Sequence, residues 1–306
     1  MSKRCSLGAH AAKEGIEARV RILRSHVEAV RRQEVAGIHD MRVASRRLRG
    51  ALKECAPVLP GRARKDFEAR IRGVTRSLGR PRELDVCIGL LESFRDKAVG
   101  RERSAATYAL RRLRAQRNAA AAHCEEAVWA VDSASFQADF RALLGGIKAE
   151  QACFLERAVT RLGAQHKKLC TAYGRWKASR DEGDLHQLRI ACKKFRYTCE
   201  LYAPHYGEAM VELIGLLKQT QEALGAWNDY RVLRDEVSAL AAGAPKESAH
   251  ALPVLVRALN ARGRACLDVF TVSAATFFSV SRRGALRQIV RTPTEACCRT
   301  RKKVGR

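Results

Sequence analysis

Residues 39–49 read His-Asp-Met-Arg-Val-Ala-Ser-Arg-Arg-Leu-Arg, and residues 186–196 read His-Gln-Leu-Arg-Ile-Ala-Cys-Lys-Lys-Phe-Arg. The two segments lie 147 positions apart and share the pattern His-x-x-Arg-x-Ala-x-[Arg/Lys]-[Arg/Lys]-x-Arg, with apolar residues at matching intermediate positions. Similarity of this kind at a fixed distance indicates an internal repeat. The chain is therefore predicted to contain two homologous halves.

Further pairs of short motifs keep nearly the same spacing. Ala56-Pro57 is matched by Ala203-Pro204, and Leu78-Gly79 is matched by Leu224-Gly225. These anchors predict a first repeat over residues 1–150 and a second over 151–281. The remaining residues, 282–306, carry nine Lys or Arg and one Glu, and are predicted to be a basic tail.

The pattern of apolar residues predicts helices throughout. Apolar residues recur at steps of three and four, as in Ile16, Val20, Leu23, Val27 and Val30, and no stretch alternates as a strand would. The seven prolines are expected to mark helix ends, and both Leu-Gly pairs are expected to be helix stops with glycine in the cap. The predicted fold class is all-α.

Composition points to an anionic partner. The 306 residues include 58 Lys and Arg against 32 Asp and Glu, a net charge of +26 that divides equally between residues 1–150 and 151–306. A hydrophobic fraction of 46% excludes a disordered basic protein. A compact chain of this charge repels itself, so a polyanion is the first partner to consider.

The repeated segments place cations on one face of a helix. At 100° per residue, the first copy has a basic stripe opposite an apolar face, and the second copy has the same arrangement with Glu200 in place of the fifth cation. Like charges at these spacings destabilise a helix, so the repeated stripe favours anion binding, although a solvated face is the alternative. The first stripe consists of His39, Arg42, Arg46, Arg49 and Lys53, with Arg47 at its edge, and the second of His186, Arg189, Lys193 and Arg196, with Lys194 at its edge.

Two acidic residues stand at matched positions after the Leu-Gly pairs. Glu83 and Asp229 are each expected early in a helix, where a carboxylate suits the positive end of the helix dipole. The favoured interpretation is that each braces a neighbouring cation, and catalysis is the alternative.

Other classes of protein fit the sequence poorly. The eleven cysteines include no Cys-x-x-Cys pair, there is no secretory signal, and no apolar run is long enough to span a bilayer, so a reduced, cytoplasmic protein without membrane spans is expected. The chain has no phosphate-loop motif and no His-Glu-x-x-His zinc motif. A metal site on His39 and His186 is disfavoured because Arg42 and Arg189 lie one turn away, and no cofactor is predicted.

The two histidine motifs together with Leu78-Gly-x-x-Arg-Glu-x-Asp-Val86 and Leu224-Gly-x-x-Asn-Asp229 resemble the CHAD domain, the conserved histidine α-helical domain, over nearly the whole chain. This resemblance implies two four-helix bundles related by pseudo-two-fold symmetry, with basic helices facing one another across a central groove or pore that binds inorganic polyphosphate. The residues implied for one side are His39, Arg42, Arg46, Arg47, Arg49 and Arg72, and those for the other are His186, Arg189, Lys193, Lys194, Arg196 and Lys218.

The expected function is therefore non-catalytic binding of inorganic polyphosphate, with association with polyphosphate granules as a further expectation. The alternative is a nucleic-acid-associated protein that uses the same positive surface. Tyr197 is the only aromatic residue on either stripe, whereas proteins that bind single-stranded nucleic acids usually add stacking rings.

Overall fold

The computed structural model describes residues 3–147 and 154–279, together with residues 284, 286, 288 and 289. Within these residues the structure is helical and contains no strand, which confirms the predicted all-α class. The α-helices are α1 (Lys3–Ser25), α2 (Val27–Arg31), α3 (Val35–Glu54), α4 (Gly61–Ser77), α5 (Gly79–Arg95), α6 (Gly100–Ala119), α7 (Ala121–Asp132), α8 (Ala134–Gly145), α9 (Phe154–Ser179), α10 (Glu182–Tyr202), α11 (Glu208–Ala239) and α12 (Lys246–Phe277).

The first hydrophobic core is formed by α1 to α4 together with α7 and α8. The apolar stripe predicted along α1 and α2 is fully buried there, and it packs on the apolar face of α3. Phe67 of α4 packs against two rings of α8: Phe140 is stacked on it at a centroid distance of 5.7 Å, and Phe136 is tilted against it at 5.2 Å. The basic face of α3 is consequently turned away from this core.

The second core is formed by α9, α10, the first part of α11 and the last part of α12. Cys192, Phe195 and Cys199 of α10 are fully buried in it. Tyr173 of α9 stacks on Phe278 with a centroid distance of 3.9 Å. This packing holds one face of α10 and leaves its basic face outside the core.

A third core joins the two halves of the sequence. Leu84 and Leu110, from α5 and α6, are buried together with Leu233 and Leu255, from α11 and α12. The halves therefore share a hydrophobic core. The proposed boundary at 150 lies outside the described residues, as does the tail 282–306 apart from the four single residues given above, so this division of the chain stays a prediction.

Two expectations about helix ends are wrong in part. The chain does break at Leu78-Gly79, where α4 ends, but α11 runs without interruption through Leu224-Gly225. Pro81 explains the difference, because it has no N–H to donate to the carbonyl of Ser77 and the second half has Trp227 at the matched position. Neither Gly79 nor Gly225 has a positive φ, so neither is a left-handed cap.

Pro253 also contradicts the expectation that every proline marks a helix end. It lies inside α12, in the third turn of that helix. A proline within a helix removes one backbone hydrogen bond, and the neighbours Leu252 and Leu255 are buried in the third core. Burial of these side chains therefore outweighs the lost bond.

No helix within the described ranges combines the length and apolar character needed to cross a membrane.

Candidate anion-binding site

The backbone of α3 is held close to the preceding helix, α2. A Cβ atom on Gly37 would lie 2.4 Å from the Cβ of Ala29, so only glycine permits this approach. Ile38, Met41 and Leu48 then fall in the first core, and the residues on the other side of the helix project away from it. The local packing thus fixes the orientation of α3, with its apolar face in the first core and its basic stripe outside it.

The start of α10 is fixed by a side-chain cap. The carboxylate of Asp181 accepts hydrogen bonds from the backbone N–H groups of Gly183 and Asp184 at 2.7 and 3.1 Å. Such a cap satisfies donors that the first turn of a helix otherwise leaves without partners. His186 lies in the next turn and is half-buried.

The basic faces of α3 and α10 lie against each other. Arg47 contacts Glu200 across the two helices, with Nε and Oε2 3.2 Å apart. The guanidinium of Arg46 lies 6.0 Å from the ring centroid of Tyr197. A second connection joins the end of α3 to α9, where Arg161 donates to both carboxylate oxygens of Glu54 at 2.7 and 2.9 Å. The two predicted stripes therefore form one positively charged region.

The centre of this region is the inter-helix cluster, defined here as Arg42, Arg46, Arg189 and Lys193. Burial is the largest cause of a lowered pKa at Arg42 and Arg189, and the neighbouring Arg46 lowers both further. Burial and then the charges of Arg189 and Arg46 lower the pKa of Lys193 from 10.5 to about 7. The positive charges in the inter-helix cluster are thus partly removed from water and repel one another.

Several guanidinium N–H groups in this region have no acceptor among the described residues. They are buried, and two of them belong to Arg64 and Arg231, which were not predicted as ligands. The other four belong to predicted ligands of the anion: the Nε atoms of Arg42, Arg49, Arg189 and Arg196. A buried donor without an acceptor costs about 1–3 kcal/mol. Phosphate oxygens are strong acceptors for guanidinium groups and would satisfy such donors.

The two histidines flank the inter-helix cluster. His39 is exposed and His186 is half-buried. Burial lowers the pKa of both, and positive neighbours lower it further, among them Arg82 for His39 and Arg189 for His186. Both side chains therefore favour the neutral imidazole at pH 7.

Glu83 and Asp229 act on equivalent arginines in the two halves. The charge of Glu83 raises the pKa of Arg42, and that of Asp229 raises the pKa of Arg189, in each case opposing the effect of burial. The ion pair that Glu83 forms is with Arg80, 3.0 Å away, and Asp229 lies in the interior of α11, so the expectation that it stands early in a helix is wrong. Bracing of Arg42 and Arg189 by these two acids stays a prediction.

An acidic residue of α4, Glu68, lies among the cations of the first stripe. The sequence of α3 gave no indication of it. The carboxylate of Glu68, on α4, is buried and lies 3.0 Å from Arg64, 3.7 Å from Arg72 and 3.8 Å from Lys53. Two predicted ligands of the anion are therefore also partners of a carboxylate. We call Glu68 with these three cations the Glu68 cluster.

Of the other predicted ligands, Arg47 and Arg196 lie beside Glu200, and Lys194 and Lys218 lie toward solvent. Arg196 contacts Glu200 at 3.3 Å and lies 5.1 Å from the Tyr197 ring. Lys194 and Lys218 are exposed, and no hydrogen bond or ion pair joins the side-chain amine of either to another described residue. The inter-helix cluster and the Glu68 cluster thus hold six of the thirteen predicted residues, whereas Lys194 and Lys218 lie at the surface.

Three further cations belong to this region. The charge of Arg82 acts on both His39 and Arg42, that of Arg231 acts on His186 and Arg189, and Arg19 of α1 feels the charges of Arg47 and Glu200. The repeat did not indicate Arg82 or Arg231 as ligands, because neither is matched by a cation. The residue matched to Arg82 is Asn228, and the residue matched to Arg231 is Asp85.

A metal centre has no support in this region. Within the part of the chain that the structure describes, no group of three or more His, Cys, Asp or Glu side chains is arranged to hold a metal ion. The charges around His39 and His186 come mainly from arginine and lysine.

Comparison with known proteins gives a consistent result for the fold. Residues 14–238 match the family model of the CHAD domain. The structure is similar to the crystal structure of the CHAD domain from the plant Ricinus communis, with a TM-score of 0.62 and 22% sequence identity over 92% of this chain and 91% of that chain. It is also similar to PptA from Streptomyces chartreusis, with a TM-score of 0.63 and 16% identity over 87% of this chain and 98% of that chain. No curated protein matches the sequence.

Proposed function

The chain belongs to the CHAD domain family, and on this premise we propose that it binds inorganic polyphosphate without catalysis, through the basic faces of α3 and α10. The observation that carries the proposal is the meeting of the two stripes, seen in the contact of Arg47 with Glu200 and of Arg46 with Tyr197. The two halves of the repeat thereby contribute cations to a single region. A linear polyanion that crosses both helices would contact both stripes together.

The chemistry of the region suits a phosphate chain. Polyphosphate has no bases to recognise, so it requires only a row of donors and positive charges. The buried Nε donors of Arg42 and Arg189 can form charge-assisted hydrogen bonds with phosphate oxygens. Release of counterions supplies the rest of the affinity, as it does for other polyanions.

Nucleic acid is the competing partner because the charge of +26 attracts any polyanion. Tyr197 is the single aromatic ring on the stripes, and it lies between Arg46 and Arg196. Binding of single-stranded nucleic acid generally depends on several stacking rings. We therefore expect long-chain polyphosphate to displace labelled DNA at much lower phosphate concentration than DNA displaces polyphosphate, and the reverse order at physiological salt would favour nucleic acid instead.

The site itself is tested by a variant with a matched control. Replacing the four residues of the inter-helix cluster by alanine should weaken polyphosphate binding by more than about 100-fold, with unchanged helix content in circular dichroism. The control removes the same number of basic side chains by replacing four exposed arginines of α6: Arg101, Arg103, Arg111 and Arg112. An equal loss of binding in both variants would show that only net charge matters and would contradict the proposed site.

Absence of catalysis and the cellular location are parts of the same proposal. Incubation with long-chain polyphosphate and Mg²⁺ or Mn²⁺ should leave the chain length unchanged on a gel, and shortening would reveal an enzyme. In cells, the fluorescently tagged protein should be cytoplasmic and should coincide with polyphosphate granules. Diffuse fluorescence in cells that contain granules would contradict the expected association with polyphosphate granules.

A further inference from the structure

A cavity lies between the start of α10, the second half of α11 and the middle of α12. Its volume is about 250 Å³. The lining combines guanidinium groups with aromatic rings and includes Arg180, Arg231, Arg234, Arg264, Trp227 and Tyr230. Gly263 of α12 also lines the cavity and contributes no side chain. The cavity therefore offers both cations and flat apolar surfaces to a small ligand.

The first half of the repeat fills the corresponding space with a side chain. Helix α6 starts at Gly100, and α12 starts at Lys246, 146 positions later. This offset matches Arg117 of α6 to Gly263 of α12. Arg117 donates from its Nε to Oδ1 of Asp85 at 2.7 Å. Glycine at the matched position of α12 leaves the equivalent space open.

The residues around this space differ in charge between the two halves. Asp85 is matched by Arg231 at the same offset. Gln33, whose Oε1 accepts from Arg117 at 3.3 Å, is matched by Arg180. Gln33 and Arg180 are the two non-glycine residues with a positive φ in the described part of the chain, at 56° and 55°, which supports this match. The second half thus has cations where the first half has a carboxylate and an amide.

The protein neutralises the cations of the cavity only in part. Arg234 is paired with Glu182, with two N–O distances of 3.1 and 3.3 Å. Nη1 of Arg231 donates to Asp235 at 3.1 Å, but the buried Nε of Arg231 has no acceptor among the described residues. Arg264 is exposed, and its guanidinium forms no hydrogen bond or ion pair within the described part of the chain. Guanidinium donors are therefore available to an anion in the cavity.

We propose that this cavity binds a small aromatic phosphate of the nucleoside monophosphate class. The phosphate supplies the negative charge that Asp85 supplies in the first half, and the ring contacts Trp227 and Tyr230. Binding here does not depend on polyphosphate binding at the inter-helix cluster.

The charge and the size of the cavity both favour a monophosphate. A guanidinium forms paired hydrogen bonds with phosphate oxygens. A phosphate monoester carries a charge of about −1.5 to −2 at pH 7, which suits several cations better than a single carboxylate does. Pockets for drug-sized ligands have volumes of about 300–1,000 Å³, so a volume of about 250 Å³ suits one phosphate and one ring system and excludes a polymer.

Calorimetry with the full chain tests the class of ligand. Adenosine 5′-monophosphate, adenosine and inorganic phosphate are titrated separately at about 0.15 M salt, which screens nonspecific attraction to the charge of the protein. We expect one molecule of the monophosphate to bind at least about tenfold more tightly than adenosine or inorganic phosphate, because each of these lacks one of the two recognised groups.

A variant at Gly263 tests the location without removing a charge. A Cβ at this position would lie 3.6 Å from the Cβ of Tyr230, an ordinary contact, and the longer side chain of Gly263→Leu extends into the cavity. This variant should bind the monophosphate at least about tenfold more weakly than the parent protein. The matched control is Gly174→Leu, at an exposed position of α9 where a Cβ meets no neighbouring atom within 4 Å. The control should bind the monophosphate as the parent does.

A second variant keeps the test decisive if Gly263→Leu does not fold. The double variant Gly263→Arg, Arg231→Asp copies the ion pair of Arg117 with Asp85, so it fills the cavity with a pair that the first half already accommodates. It should keep the helix content of the parent in circular dichroism and lose binding of the monophosphate.

Three results would overturn the inference. The first is an absence of binding of the monophosphate to the parent protein up to about 1 mM. The second is equal binding by the parent and by a folded cavity variant. The third is equal affinity of the parent for the monophosphate and for inorganic phosphate.

Discussion

Arg47 of α3 and Glu200 of α10 form an ion pair across the two halves of the repeat, with Nε and Oε2 3.2 Å apart. The repeat matches Glu200 to Lys53, so one half has a carboxylate where the other has a cation. Glu200 also contacts Arg196, and it therefore holds one cation from each stripe. The charged region is accordingly less positive near Glu200 than it would be with a cation there, as at the matched position Lys53.

Removing the charge of Glu200 should strengthen polyphosphate binding. In Glu200→Gln both arginines lose a competing carboxylate, and because ion pairs of this exposure contribute about 0.2–1 kcal/mol, we expect an affinity gain of up to about fivefold at low salt. The matched control is Glu212→Gln, an exposed acid on α11. Fluorescence polarisation with labelled polyphosphate at low and high salt measures the gain, and equal affinities for the two variants would contradict a local role of Glu200.

Glu68 should stabilise the ligand-free fold. Its carboxylate is 8% exposed and contacts three cations, so Glu68→Gln leaves them without a buried counter-charge. Breaking a buried ion pair costs about 3–5 kcal/mol, and since Lys53 and Arg72 are half exposed, we expect a loss of about 2 kcal/mol in the free energy of unfolding. Urea denaturation tests this against Glu125→Gln, at an exposed position of α7. The expectation fails if the two variants are equally stable.

Asp85 is a structural residue of the Leu-Gly-x-x-Arg-Glu-x-Asp-Val motif. Its Oδ1 accepts from the Nε of Arg117 at 2.7 Å, and the two side chains are only 4% and 10% exposed. Asp85→Asn should lower the free energy of unfolding by about 3 kcal/mol, because an uncompensated charge stays buried between α5 and α6. The double variant Asp85→Leu, Arg117→Met should recover part of this loss in the same urea titration. If the double variant is less stable than Asp85→Asn, the ion pair itself stabilises the fold.

The histidines should make polyphosphate binding tighter as the pH falls below about 6.5. Their pKa is lowered in the free protein, and a bound phosphate raises it by favouring imidazolium, so the complex takes up protons in this range. The contribution of the histidines to the binding affinity is present below the pKa that they have in the complex and is lost above it. Dissociation constants of the parent and of His39→Gln, His186→Gln between about pH 5.5 and 7 test this. Parallel profiles would assign the histidines a purely structural role.

The repeat and the apolar periodicity were sufficient to predict the all-α class and the two helices that carry the basic stripes. Ile16 and Leu23 are buried as the spacing indicates, and Arg42 and Arg189 lie where the matched motifs place them. These features depend on residues close together in sequence. A helix period alone determines which face is buried once a core exists.

The parts that could not be predicted depend on packing between distant segments. Glu68 reaches Lys53 only because α4 packs on α3, and nothing in the spacing of α3 indicates an acid there. Arg82 and Arg231 enter the site from positions where the repeat is broken. The third core likewise joins helices that are more than a hundred residues apart.

If the basic faces of α3 and α10 form one binding site, the protein binds a single polyanion chain across both helices. The stoichiometry of a defined short-chain polyphosphate, measured by native mass spectrometry and calorimetry, tests this. We expect one chain per protein molecule, and loss of that chain both in the double variant Arg42→Ala, Arg46→Ala and in the double variant Arg189→Ala, Lys193→Ala. Two chains per molecule, each lost in only one of these double variants, would instead show two independent surfaces.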